Sequence, residues 1–198
     1  MPPSEDIQQY LVGAWRLMTG RRDGLAMLDL SADGFWNSFF AIVVALPALI
    51  VGWVGTANEL SADPIASASR FSYLLRLALV DLGSWIVPLV ALALAAPLAG
   101  LRDRFVHYVV ATNWASVILA WLMLPAALLR MFTPPGSELV IVLSLALFAL
   151  SMALTWRLTN AVIDRGAAMG TAVFAAMIIA SIVVLVVLQS AFGIYISP

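Results

Sequence analysis

The chain has no cysteine, no lysine and a single histidine, and it carries few charges of either sign. Without cysteine there is no disulfide, no thiolate metal site and no thiol nucleophile. All ten basic residues are arginine, so the Gly-Lys-Ser/Thr core of a nucleotide-binding loop is absent. One histidine, His107, cannot build a His/Cys metal cluster. Charged residues make up 11% of the chain, against roughly 25% in a typical soluble domain. A net charge of -1 offers no electrostatic footprint for nucleic acid. G-x-S-x-G, H-E-x-x-H and acid pairs spaced along one helix face are all missing. These absences lead us to expect no enzyme, no cofactor and no metal.

What the chain has is apolar surface. Hydrophobic residues are 63% of its 198 residues and the mean hydropathy is +1.02. Apolar runs long enough for spans of about 20 residues alternate with short polar connections. We expect an all-α polytopic transmembrane bundle of about five spans, near residues 35–57, 71–98, 105–132, 139–156 and 170–196. Residues 1–34 form a separate N-terminal segment and 35–198 the transmembrane domain. Pro47, Pro88, Pro97 and Pro125 fall within these spans and bend their helices. Small residues mark close helix contacts within the bundle: Ala91, Ala95 and Ala99, and Ala172, Ala176 and Ala180 after the Gly166-x-x-x-Gly170 pair. Ser144, Ser151, Thr155 and Thr159 add polar contacts, and the 182–188 run faces lipid.

The N-terminus begins with Glu5 and Asp6 and no positive segment, unlike a signal peptide. Ser4 suits a helix N-cap. Ile7, Tyr10, Leu11, Ala14 and Met18 then fall on one face of a helix over 4–19. This amphipathic helix is open to two readings, an interfacial anchor or partner-binding helix and a helix that packs under the bundle. Ser31 to Gly34 offers a cap before the first span. Arg16, Arg21, Arg22, Arg102, Arg104, Arg157 and Arg165 fall on the N-terminal side, and Arg70, Arg76 and Arg130 toward the other. That asymmetry puts the N-terminus in the cytoplasm and the C-terminus in the periplasm. Arg-only, Ala-rich usage points to a GC-rich bacterial source, hence the inner membrane. Trp36, Trp53, Tyr73, Tyr108, Trp156 and Tyr195 sit near span ends, as interfacial aromatics do.

The hairpin over 71–132 carries the polar residues of interest: Arg76 and Asp81 on one arm, His107 and Asn113 on the other. Ionisable groups in a span are costly and face other helices or a cavity. At 1.5 Å per residue, Asp81 lies roughly 15 Å from one surface and Asn113 roughly 12 Å from the other. Both come out near the midplane and could meet. Arg76 and Asp81, five residues apart, are poorly placed to pair on one helix. His107 lies nearer the inner surface. Asp81 is open to two readings, an ion-binding or proton-binding carboxylate and a structural interhelical hydrogen bond.

Five spans behind an acidic, amphipathic N-terminus resemble the Yip1-like membrane proteins, as do Pro88 in the second span and Phe105-Val106-x-x-Val109-x-Ala111-x-Asn113-Trp114 in the third. The resemblance covers the spans and rests on architecture and hydrophobic patterning. It implies an integral membrane protein working through helix contacts, and no site residue is carried over from it. The expected role is non-enzymatic, organising or accessory, with the bilayer and a protein partner or a second copy as neighbours. The alternative is a small proton- or ion-coupled carrier or channel using Asp81 and Asn113.

Overall fold

Helices form where the apolar runs lie, and five are long and apolar enough to cross a membrane. The structure, a computed structural model, describes residues 2–62, 69–134 and 136–194. In chain order the elements are α1 (Ser4–Met18), a 3-10 turn (Arg22–Met27), α2 (Ala32–Ser38), α3 (Ala41–Ala62), α4 (Arg70–Ala95), α5 (Phe105–Phe132), α6 (Glu138–Ile163) and α7 (Ala167–Ala191). With only Phe39 and Phe40 between them, α2 and α3 together make the first candidate span, Ala32–Ser61. Pro47, Pro88 and Pro125 lie inside α3, α4 and α5. Pro97 lies beyond α4, which ends at Ala95. The expected fifth-span end at residue 196, and Tyr195, are outside the described residues.

Side chains start two of these helices. The Ser31 hydroxyl accepts from the Gly34 N–H at 3.1 Å, and the Ser69 hydroxyl from the Ser72 N–H at 3.3 Å. Each satisfies a donor that the first helical turn leaves free. The expected cap at Ser4 is displaced by one residue. Pro3 is extended (φ -57°, ψ 155°), and its carbonyl takes the Ile7 N–H at 3.1 Å, so Ser4 already belongs to the first turn.

The five long helices close a ring in the order α3, α5, α6, α7, α4, each packing on two neighbours. Residues 71–132 are therefore not the packed hairpin that chain order suggests, because α4 and α5 barely touch. The main core is centred on α5, where Val109, Ala111, Asn113 and Trp114 are buried. Tyr73 and Tyr108 are buried too, packed among helices. The small residues divide: Ala91, Ala95, Ala99, Ala172 and Ala176 all face outward, Ala180 is half-buried, and Gly170 is buried so closely on Asn160 that a Cβ there would clash. Ser151, Thr155 and Thr159 spend their hydroxyls on the carbonyl four residues back in α6. Ile182, Val183, Val186 and Val187 are each more than half exposed, as a lipid-facing surface requires.

The amphipathic helix tucks under one end of the bundle. Ala14, Leu17 and Met18 are fully buried, and Tyr10 meets the Trp114 ring at 5.2 Å. The 3-10 turn packs on α1 through Gly13 and Gly24, where added Cβ atoms would meet the opposing carbonyls at 2.8 and 2.3 Å. Ion pairs join the connections at this end: Arg16–Asp23 at 2.9 Å, Arg22–Asp164 at 2.6 Å and Arg165–Asp103 at 2.8 Å. Asp164 ends α6 with a left-handed backbone, φ 48°, which Asp tolerates better than most residues. At the opposite end Arg130 pairs with Glu59 at 2.8 Å.

Candidate functional site: two chambers inside the helix ring

A ring whose fourth and fifth helices stand apart leaves space along its axis. The larger chamber, about 560 Å³, is lined by all five long helices and contains Asp81, Trp53, Trp85, Ser116, Arg130 and Gln189 in its wall. The smaller, about 180 Å³, lies toward the α1 end between α4, α5, α6 and α7. Ser84, Tyr108, Thr112, Thr155 and Ser181 give it a hydroxyl-rich lining. Trp85 and Ser116 line both chambers and so form the partition between them.

Two indole N–H groups fix the polar residues at the middle of the ring. Trp53 on α3 donates to Asp81 Oδ2 on α4 at 2.5 Å. One helical turn further along α4, Trp85 donates to Asn113 Oδ1 on α5 at 3.0 Å. The Asn113 amide in turn donates to the Ser38 hydroxyl at 2.8 Å, and Ser38 donates to the Phe35 carbonyl at 2.7 Å. Asn113 and Ser38 are fully buried. These bonds tie α4 to its ring neighbour α3 and, across the gap that direct packing leaves open, to α5.

The residues singled out in the sequence thus take separate places. Asp81 and Asn113 do not meet, since each is bound by its own tryptophan. Asp81 faces the larger chamber. Its carboxylate has about four acceptor positions, and the Trp53 N–H occupies one. Asn113 lines neither chamber. Arg76 turns away to the end of α7, donating to the Phe192 carbonyl at 2.9 Å with the Tyr73 ring 6.0 Å from its guanidinium carbon. There it meets the free carbonyls and partial negative charge of a helix C-terminus. His107, near the start of α5, lines neither chamber, and its buried Nδ1 has no partner among the described residues. Trp53 reads from sequence only as an interfacial aromatic, and Trp85 and Ser84 carry no sequence signal of their own. Ser84 places a buried hydroxyl, unpartnered among the described residues, beside the smaller chamber.

The donor set does not suit a bound metal. No group of three His, Cys, Asp or Glu side chains converges among the described residues. Fold and site together define a multi-pass membrane protein built as a five-helix ring with a cavity lined by all five helices. Comparison with family models, with curated proteins and with solved structures finds no match.

Proposed function

We propose that the chain is a non-enzymatic membrane protein of Yip1-like type that binds and carries a small solute through its helix ring, with Asp81 as the working group. One observation carries the reading: a carboxylate with spare acceptor capacity stands in the wall of a 560 Å³ chamber lined by all five long helices. A buried ionisable group in a span is costly enough that a purely packing role is better served by an amide or a hydroxyl. The Yip1-like assignment rests on five spans, with the short α4–α5 connection on the same end as α1. Seven arginines at that end support a cytoplasmic N-terminus and a periplasmic C-terminus in a bacterial inner membrane.

The test is proton or cation flux in proteoliposomes, comparing the parent with Asp81→Asn. Flux that needs Asp81, in a variant that still folds, supports a carrier. Flux equal in both proteins and in empty vesicles sinks it.

A second reading is the organising or accessory role, in which the protein works through helix contacts with a partner or a second copy. The outward placement of Ala91 and Ala95 on α4, and of Ala172 and Ala176 on α7, favours it. Small residues at lipid-facing positions let a further helix approach closely. The native mass of gently extracted protein, with co-purifying chains identified, decides: a stoichiometric companion supports this role and a monomer removes it.

A further inference from the structure

The lining of the larger chamber narrows what it can hold. At about 560 Å³ it falls among cavities that enclose drug-sized molecules, about 300–1,000 Å³, and far exceeds a bare ion. A metal or alkali ion stripped of water wants about six oxygens or more, and the described lining supplies one carboxylate. Its aromatic walls are Trp53, Trp85 and Phe148, with Leu77 and Leu119 adding aliphatic surface. Two charged side chains line it, Asp81 and Arg130. Arg130 is already matched by Glu59 at 2.8 Å, which leaves Asp81 as the ionisable side chain of the described lining without an ion partner.

We infer that the chamber is a binding site for a monovalent organic cation with an apolar body, such as a quaternary ammonium or phosphonium, with Asp81 as its counter-ion. This rests on the carrier reading and adds the class of solute. Trp53 spends its N–H on Asp81, which sets an indole ring beside the carboxylate. A cation there gains Coulomb attraction from Asp81 and cation–π attraction from the rings, both strengthened where water is excluded. An anion of the same shape gains neither and meets the carboxylate's repulsion.

The experiment measures equilibrium binding of tetraphenylphosphonium and tetraphenylborate, two ions of matched shape and opposite charge. The full chain is held in zwitterionic phosphatidylcholine nanodiscs, with empty nanodiscs subtracted. The expected result is saturable binding of one phosphonium per chain and no saturable binding of the borate. Asp81→Asn weakens phosphonium binding about tenfold or more, the loss of one charge-assisted partner.

Gly52→Leu guards against misfolding of the Asp81 variant. Gly52 lines the chamber, a Cβ there meets nothing within 4 Å, and leucine favours helix over glycine. This variant keeps Asp81, narrows the chamber and weakens phosphonium binding. Equal binding of both ions, phosphonium binding unchanged in both variants, or no saturable binding of either ion overturns the inference. Asp81-dependent proton flux surviving any of those results leaves the carrier reading standing without an organic cation. Its absence as well removes both.

Discussion

Trp85 on α4 donates its indole N–H to Asn113 Oδ1 on α5 at 3.0 Å, bridging two helices that otherwise barely touch. The bond holds the ring's interior partition in place, because Trp85 lines both chambers. Asn113 is pinned from behind by Ser38, so the partition is anchored to the start of the first span.

Asn113→Ala therefore strips two buried partners at once. Leaving buried polar groups unpaired costs about 1–3 kcal/mol, above the roughly 0.6 kcal/mol average for an interhelical bond in a membrane. Unfolding in detergent measures the loss. A double-mutant cycle with Trp85→Phe should return a coupling of about 0.5–3 kcal/mol, as groups sharing one network do. Additive losses would mean the two residues act independently.

The spans were legible because apolar runs of this length have few alternatives; α5 occupies the same 105–132 expected of it. Helical rise gives Asp81 and Asn113 one expected depth. Their partners were not legible, because pairing depends on the order of helices round the ring, and sequence neighbours α4 and α5 are not ring neighbours. Tryptophan near a span end is read first as an interfacial residue, which hid Trp53, and Trp85 stood in mid-span without a marked partner. The usable signal was that a buried indole N–H needs an acceptor, and Asp81 and Asn113 were the strong acceptors at that depth. The outward alanines failed for a different reason: four-residue spacing defines a face without saying which way it points.

Within the N-terminal segment, the 3-10 turn meets α1 at a close backbone contact. A Cβ on Gly24 would meet the Gly13 carbonyl at 2.3 Å and Arg16 Cβ at 2.9 Å, atoms that cannot swing aside. Gly24→Ala should push the 3-10 turn off α1 at a cost of about 1–3 kcal/mol. Limited proteolysis should then cut residues 1–31 faster while the spans stay protected. Gly52→Ala, where the Cβ meets nothing within 4 Å, is the control and should cut like the parent. Equal protection of the Gly24 variant would mean that the segment has slack at this contact.

Arg76 gives the far end of α7 its only side-chain cap among the described residues, through the Phe192 carbonyl. Arg76→Met keeps the stem and removes the donors and the charge. Amide exchange over 188–194 should speed up severalfold, while α4 around residue 76 is unchanged. Faster exchange across the whole of α4 would instead assign Arg76 to packing within the ring.

The acid response of the α1 end follows from Asp103. Its hydrogen bonds from Arg165, at 2.8 and 3.0 Å, hold the carboxyl below its ordinary 3.8, with partial desolvation opposing and the Arg165 charge assisting. A carboxylate with a lowered folded-state pKa stabilises the fold above its unfolded value and loses that contribution as pH falls through the folded value. The link between the α4–α5 and α6–α7 connections should thus be constant above about pH 5 and weaken below about pH 4. Both side chains are about half exposed, 48% for Arg165 and 56% for Asp103, so the change is local and does not unfold the ring. Amide protection over residues 101–104, corrected for intrinsic exchange, should fall between pH 5 and 3 in the parent. Asp103→Asn should lower protection at pH 7 and flatten its pH dependence, because the amide cannot titrate. Protection that rises on acidification, or an Asn variant that follows the parent, would assign the response to another group.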